Sequence, residues 1–145
     1  MKALSVKQPW AWTIIHAGKN IENRTWHTDY RGPLLIHAGK YRPSRRENEV
    51  CREIVEAASP QIDWPAGRKL RQLYGGIIGR VDLVDCIWVG HPGAAEYIDW
   101  PWAYGPCLWI LRNPEPLEFT TEWGRLGIFE VSGRVMRKVR RQVGE

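Results

Sequence analysis

The segment from Gly18 to Trp26, which reads GKNIENRTW, holds the densest group of side chains that could do chemistry. Arg24 offers a planar guanidinium that can bind a phosphate or a base edge through two parallel hydrogen bonds. Glu22 and Asn23 supply acceptors and donors for the edge of a base, and Trp26 supplies a ring on which a base can stack. We therefore predict a nucleobase-binding site here, with a surface ion pair between Glu22 and Arg24 as the alternative.

Tryptophan is several times more frequent than in an average protein, with nine among 145 residues. A core rarely needs so many amphipathic indoles, so we expect some of them to line a surface or a pocket. Trp10 and Trp26 are the predicted stacking walls, together with Trp100, Trp102 or Tyr104 from a later loop. An aromatic-rich core is the alternative for each single tryptophan.

The elements around the charged segment must bring its side chains into one cleft. Residues 3–7 alternate apolar and polar side chains and are predicted to form a strand. Pro9 suits the first turn of a helix whose apolar stripe continues until Gly18. Residues 20–26 alternate as a second strand. One face of that strand carries an acid, a base and an indole: Glu22, Arg24 and Trp26.

The middle of the chain contains one well-marked helix. Residues 33–38 are mostly apolar and predict a strand beside residues 20–26, and His37 within it is predicted to be a hydrogen-bonded histidine of the core or the pocket edge. Ser44 and Glu47 form a capping box that predicts a helix ending before Ser59 and Pro60.

The rest of the chain is rich in β-branched residues and turns. Residues 60–74 are predicted to be a loop with a helical turn, and residues 75–88 a long strand or a pair of strands with a bend at Gly79. Further predicted elements are a short helix near 94–98, strands at 107–111, 117–121 and 128–131, and a break at 113–116. Short strands in succession with inserted helices indicate an α+β fold with a small barrel-like sheet.

The formal charge of +5 is concentrated at the carboxyl end. Residues 134–145 contain five bases against Glu145, so residues 1–133 carry a net charge of only +1. We predict one domain of ordinary size over residues 1–133, followed by a basic C-terminal tail or helix over 134–145. A solvated tail is favoured over a nucleic-acid contact.

Several classes of protein are excluded by the sequence pattern. Three scattered cysteines without a CxxC pair argue against a disulfide framework and a zinc knuckle. The four histidines lack ligand spacing, and no glycine motif for phosphates is found, so we expect neither a metal nor a cofactor. No apolar run approaches the roughly 20 residues of a membrane helix, so no membrane partner is expected and a cytoplasmic location is predicted.

Four motifs in this chain resemble the ASCH domain family. They are LSVKQPWA at 4–11, GK with Glu22 and Arg24 at 18–24, RGPLLIHA at 31–38 and GIFEV at 127–131. The resemblance covers residues 1–131 and implies a PUA-like fold, which is a small β pseudo-barrel with flanking α-helices. It also implies a relation to domains that bind RNA or modified bases, in a family that includes both binders and enzymes.

One enzymatic branch of the family hydrolyses N4-acetylcytidine with a lysine, a threonine three residues on, and a glutamate from a later segment. The lysine maps to Lys19, but Glu22 occupies the threonine position, so the nucleophilic hydroxyl is missing. Glu22 would then act as a general base toward water, with Lys19 tuning its charge, in a metal-independent mechanism. Glu96 is the positional candidate for the remaining acid, with an exposed helix glutamate as the alternative.

Two further functions stay open on the sequence. A ribonuclease branch is expected to use a lysine, a tyrosine and a serine, for which Lys19, Tyr30, Tyr104 and Ser5 are available without a spacing that selects them. A protein-interaction adaptor would use exposed tryptophans, and its protein partner is unknown.

The favoured function is the binding of RNA or of a modified nucleobase or nucleoside in a cleft between the first helix and the second strand. The predicted contacts are aromatic or polar: Trp10, Lys19, Glu22, Asn23, Arg24, Trp26 and Tyr104. In an enzyme, the predicted catalytic residues are Lys19 and Glu22, with Glu96 as the third.

Overall fold

A computed structural model describes residues 1–65 and 67–145. In this part of the chain, six strands and four α-helices follow one another. Their bounds are β1 (Lys2–Val6), α1 (Trp10–His16), β2 (Ile21–Arg24), β3 (Gly32–Ala38), α2 (Arg45–Ala58), α3 (Gly67–Arg71), β4 (Gly76–Trp88), β5 (Cys107–Thr121), β6 (Ile128–Glu130) and α4 (Gly133–Gln142). A short 3₁₀ helix covers Pro92–Ala94.

The six strands form one mixed sheet in the order β2-β5-β4-β3-β1-β6. Strands β1 and β3 are parallel, and the other neighbouring pairs are antiparallel. Among the described residues β2 and β6 pair on one side only, so the sheet does not close into a barrel. The predicted α+β class is confirmed, with an open sheet in place of a closed one.

The apolar stripe that the sequence predicts for α1 packs this helix against the sheet. Its buried residues include Ala11, Ile14 and Ile15, which join β1, β3 and β4 side chains in the largest apolar cluster. The side-chain oxygen of Gln8 accepts a hydrogen bond from the Trp12 N–H at 2.9 Å and so supplies a partner to the open first turn. Gly18 has a φ of +73°, which ends the helix and turns the chain toward β2.

The capping box of α2 is confirmed. The Ser44 hydroxyl accepts a hydrogen bond from the Glu47 N–H at 3.1 Å, and the Glu47 carboxylate accepts one from the Ser44 N–H at 3.3 Å. The helix ends at Ala58, and the Ser59 N–H donates to the Val55 carbonyl. Local side-chain chemistry therefore determines both ends of this helix.

The predicted pairing of residues 20–26 with residues 33–38 is wrong. Strand β2 pairs with β5, with Glu22 opposite Trp109, whereas β3 lies between β4 and β1. The reason is burial, because Ile21 packs with Leu108 and Ile110 of β5 in an apolar cluster. An edge position leaves the polar side chains of β2 next to open space.

The predicted break at residues 113–116 is also wrong, because β5 runs without interruption through this stretch. The register against β4 shifts between the pairs Asp82–Arg112 and Arg80–Glu115, which is the signature of a bulge. Asn113 takes a positive φ of 52° there and donates a side-chain hydrogen bond to Asp82 at 2.8 Å. The bulge absorbs a proline-rich stretch without ending the strand.

The basic C-terminal segment, for which the sequence leaves a tail or a helix open, forms α4. Val135 and Val139 of this helix are 0% exposed and pack with Ala3 and Phe129. The charged side chains of α4 lie outside this seam, and Lys138 pairs with Glu118 at 3.2 Å. The helix is thus docked on the sheet.

The three cysteines are free and buried. The sulfurs of Cys86 and Cys107 lie 3.3 Å apart on β4 and β5. Among the helices of the described residues, none combines the length and the apolar character that a membrane span requires.

Replacing Val139 by Ala should lower the free energy of unfolding by roughly 2 kcal/mol, because two buried methyl groups are lost and a cavity is left. Chemical denaturation measures this value. Arg137→Ala, on the exposed side of the same helix, is the control and should change it by less than about 0.5 kcal/mol. If Val139→Ala is as stable as the wild type and the control, α4 does not pack on the sheet.

Candidate functional site

A cavity of about 650 Å³ lies between α1, β2 and the loops that follow β1 and β3. Its size is in the range of small-molecule sites. The lining residues are Ser5, Val6, Lys7, Trp10, Lys19, Glu22, Asn23, Arg24, Thr25, Trp26, Gly39, Lys40, Tyr41 and Tyr104. All seven residues that the sequence predicts as nucleobase contacts are therefore brought together around one cavity.

The floor of the cavity is an ion triplet, formed by Lys19, Glu22 and Arg24. Lys19 is 3% exposed, and its ammonium donates to the Ile21 carbonyl and lies 3.4 Å from Glu22 Oε1. The other carboxylate oxygen of Glu22, Oε2, lies 3.3 Å from an Arg24 nitrogen. The Glu22 carboxylate is therefore held between two cations.

Burial lowers the pKa of Lys19, and the neighbouring Glu22 carboxylate opposes that shift. The desolvation of a charged ammonium explains the direction, because the charged form loses its hydration. The Lys19 ammonium also lies 6.0 Å from the centre of the Trp102 ring, within reach of a cation–π contact.

Arg24 connects the triplet to the first strand. One guanidinium nitrogen donates to the Ser5 carbonyl at 2.6 Å as well as to Glu22. The Arg24 Nε is buried and has no hydrogen-bond partner among the described residues. A buried donor without an acceptor is unfavourable, so the contacts of Arg24 with Ser5 and Glu22 must offset this cost.

His37 continues this network behind the cavity. The side chain is 2% exposed, with Nδ1 2.5 Å from Ser5 Oγ and Nε2 2.8 Å from the Glu122 carbonyl oxygen. Because a carbonyl only accepts, Nε2 carries the proton and the Ser5 hydroxyl donates to Nδ1. Burial lowers the pKa of His37, which keeps the ring neutral. The predicted role as a hydrogen-bonded histidine at the core or pocket edge is confirmed.

Aromatic rings form the walls. Trp26 packs edge-on against the buried Trp109, with ring centres 4.7 Å apart, and Trp10 packs edge-on against Trp102 at 6.5 Å. The Lys7 ammonium lies 4.2 Å from the centre of the Tyr41 ring. Trp10 and Trp26 are therefore fixed by rings behind them while they line the cavity.

Asn23 lines the cavity, but its side chain is occupied by the loop that contains Tyr104. Its oxygen accepts hydrogen bonds from the N–H groups of Tyr104 and Gly105, both at 2.8 Å, and its nitrogen donates to the Trp102 carbonyl at 3.0 Å. Asn23 therefore positions the Tyr104 wall, a role that strand alternation could not indicate.

The structure also places the residues that the sequence offers for hydrolase, ribonuclease or metal chemistry. Glu96 is exposed, follows the 3₁₀ helix and is not among the described residues that line the cavity. Of the residues available to a ribonuclease, Ser5, Lys19 and Tyr104 line the cavity, and Tyr30 lines a different one. No group of three or more acidic, histidine or cysteine residues could hold a metal ion in the described ranges.

Sequence reasoning missed Lys7 and Tyr41, which line the rim. Lys7 follows β1 and Tyr41 lies shortly after β3, and these strands are parallel neighbours. The carboxyl ends of parallel strands meet at one edge of the sheet, where ligands commonly bind. That signal becomes available only once the pairing of the two strands is known.

Comparison with known sequences identifies related proteins. The sequence model of the ASCH domain matches residues 4–120. Activating signal cointegrator 1 of Homo sapiens is 34% identical over 120 residues, which are 79% of this chain and 19% of that protein. The Mus musculus protein of the same name is 34% identical over 85 residues, which are 58% of this chain and 14% of that protein. The chain thus spans about a fifth or less of these relatives.

Two solved structures from Zymomonas mobilis share the fold. A point mutant of its ASCH protein superposes with a TM-score of 0.54 and 13% identity, covering 97% of this chain and 96% of that chain. The ASCH protein without the mutation also gives 0.54, with 12% identity and coverage of 97% and 93%. The resemblance seen in the sequence motifs and the PUA-like α+β fold are confirmed.

Acid should destabilise the protein through His37. The unfolded chain binds a proton near the ordinary pKa of 6.5, whereas the folded chain, with its lowered pKa, binds it only at lower pH. Unfolding therefore takes up a proton below pH 6.5, and stability should fall as the pH decreases through this window. Denaturation of the wild type and of His37→Gln across this range measures the effect. The variant should show the shallower dependence, and equal slopes would contradict a buried neutral imidazole.

Asn23→Ala should loosen the loop of residues 102–105, because two N–H groups and a carbonyl lose their partner. We expect a loss of about 1–3 kcal/mol in unfolding free energy and faster proteolysis within this loop. Asn48→Ala is the matched control, since Asn48 lies on α2 and makes none of the hydrogen bonds that hold this loop. If Asn23→Ala behaves like the wild type in both assays, the loop does not depend on this side chain.

Proposed function

Because the chain belongs to the ASCH domain family, which is linked to RNA binding, we propose that its cavity binds a nucleobase of RNA or a modified nucleoside. The observation that carries this proposal is the pairing of flat aromatic walls with an ion triplet in one cavity. A base presents two flat faces and a polar edge, for which aromatic rings and charged side chains are the usual partners.

The walls suit bases in general. Trp10 and Trp26 both line the cavity, and Tyr104 is a lining residue that is largely exposed. Stacking on such rings contributes about 1–3 kcal/mol per base and tolerates every base, since each has a π face. The walls therefore supply affinity without fixing which base binds.

The floor suits the polar edge of a base. The Arg24 side chain is 23% exposed and carries guanidinium N–H donors, and Glu22 Oε2 accepts only from Arg24 among the described residues. A carboxylate oxygen has capacity for a further donor, such as the exocyclic amine of a base. One donor and one acceptor side by side can read a base edge.

The charge of the lining suits a phosphate backbone. Among the described lining residues, four are cationic and one is a carboxylate, namely Lys7, Lys19, Arg24 and Lys40 against Glu22. Binding of a polyanion by such a surface releases counterions, so the affinity should fall as the salt concentration rises.

Arg24→Ala should weaken binding of a labelled single-stranded RNA of about eight nucleotides by roughly ten-fold to a hundred-fold, because charge-assisted hydrogen bonds are lost. Fluorescence anisotropy measures the affinity. Arg52→Ala is the control, since Arg52 is an exposed arginine of α2 that pairs with Glu56. An equal loss in both variants would show that only net charge matters. Unchanged affinity of Arg24→Ala would contradict the proposed site, provided that denaturation shows both variants folded.

Hydrolysis of an N4-acetylcytidine-type nucleoside is the second candidate, and the contact between Lys19 and Glu22 favours it. Glu22 Oε1 accepts from Lys19 and from the Asn23 N–H, so Oε2 is the oxygen with capacity to take a proton from water. Water would attack the acetyl carbonyl, the proton would pass through Glu22 to the leaving amine, and acetate and cytidine would result. Glu96 takes no part in this arrangement.

Incubation of the protein with N4-acetylcytidine separates the two functions. Release of acetate that Glu22→Gln abolishes would establish hydrolysis, because the amide cannot accept the proton. Binding of the nucleoside without acetate release would exclude hydrolysis of this substrate and leave a binding domain. Asn48→Ala is the control variant. Asn48 lies on α2 and is not among the cavity-lining residues, so this variant should behave like the wild type.

A further inference from the structure

Two large apolar side chains stand exposed in the segment of residues 122–127, which connects β5 to β6. Trp123 is 77% exposed and Leu126 is 100% exposed. Exposed indole surface of this extent is typical of binding surfaces, because it is unfavourable in water. No part of the mechanism above uses either residue.

The start of the segment is held in place. The Glu122 N–H donates to the Gly75 carbonyl at 3.1 Å, and the Glu122 carbonyl accepts from His37 Nε2 at 2.8 Å. The Glu122 carboxylate accepts from the N–H groups of Trp123 and Ser132. Trp123 is therefore presented by an anchored backbone, and the ring loses little freedom on binding.

The segment lies directly beside the cavity. A Cβ at Gly124 would come within 2.9 Å of Ser5 Oγ, which belongs to a cavity-lining residue. The Lys40 ammonium lies 4.9 Å from the centre of the Trp123 ring, and Lys40 also lines the cavity. A ligand that fills the cavity and extends past Lys40 would meet Trp123.

The charges around this surface fit a polyanion. Four exposed cationic side chains line the cavity, follow one of its lining residues or belong to the segment of residues 122–127: Lys7, Lys40, Arg42 and Arg125. These four cations exceed the two neighbouring carboxylates, those of Glu47, which accepts from the Tyr41 hydroxyl at 2.7 Å, and Glu122, which accepts from backbone N–H groups. Exposed aromatic surface beside an excess of cations is typical of single-strand binding sites.

From this placement we infer that the full site takes a single-stranded RNA of at least two nucleotides, of which a free nucleoside fills only the cavity. One base enters the cavity, the neighbouring base stacks on Trp123, and Lys40 contacts the phosphate between them. The inference rests on the proposed function, because it takes the cavity as the site of the first base.

Trp123→Ala should weaken binding of a labelled single-stranded RNA of about eight nucleotides by roughly ten-fold, the loss expected for one stacked base. Its affinity for N4-acetylcytidine should stay unchanged, because the cavity itself is intact. Trp123→Phe should keep most of the RNA affinity. Trp88→Ala is the matched control, since Trp88 is also an exposed tryptophan and is not a cavity-lining residue.

The outcomes separate the inference from the proposed function. RNA affinity that Arg24→Ala reduces and Trp123→Ala leaves unchanged would overturn the stacking surface and keep the cavity. Equal losses in Trp123→Ala and Trp88→Ala would also overturn it, since no specific surface would then be involved. A wild-type protein that binds neither RNA nor nucleoside would overturn the proposed function and the inference with it.

Discussion

The ion triplet of Lys19, Glu22 and Arg24 is the interaction on which the site depends. Removing such charges from water costs several kcal/mol per ion, and a carboxylate held between two cations offsets that loss only in a well-defined geometry. The triplet therefore requires three pieces of chain to stay in register: the turn after α1, the edge strand β2 and, through the Ser5 carbonyl, the strand β1. Because these pieces of chain are held together, the side chains at the floor of the cavity keep fixed positions.

The same constraint extends along a chain of hydrogen bonds to the segment that follows β5. Arg24 binds the Ser5 carbonyl, the Ser5 hydroxyl binds His37, and His37 binds the Glu122 carbonyl. Because His37 is buried and neutral, this chain contains no further charge that would need a partner. The floor of the cavity and the segment beyond β5 thus share one framework, and ligand binding there requires little reorganisation.

Local patterns in the sequence were sufficient for much of this site. The alternation of residues 20–26 and the glycine that ends α1 placed Lys19, Glu22, Arg24 and Trp26 together, and side-chain capping determined α2. The partner of β2 could not be predicted, because strand pairing depends on burial between distant segments. Asn23 and Tyr104, for example, are 81 residues apart in sequence and meet through a hydrogen bond. For the same reason the positioning role of Asn23, and the rim formed by Lys7 and Tyr41, had no local signal.

The most direct test of the central claim, that the cavity holds a base, is to record the indole N–H resonances of the nine tryptophans by NMR during titration with a short single-stranded RNA. Trp10 and Trp26, which line the cavity, should shift in a saturable manner. Trp64, which packs against Trp12 outside the cavity lining, should not shift. Saturable RNA binding that leaves Trp10 and Trp26 unchanged would contradict the account, because the base would then lie elsewhere.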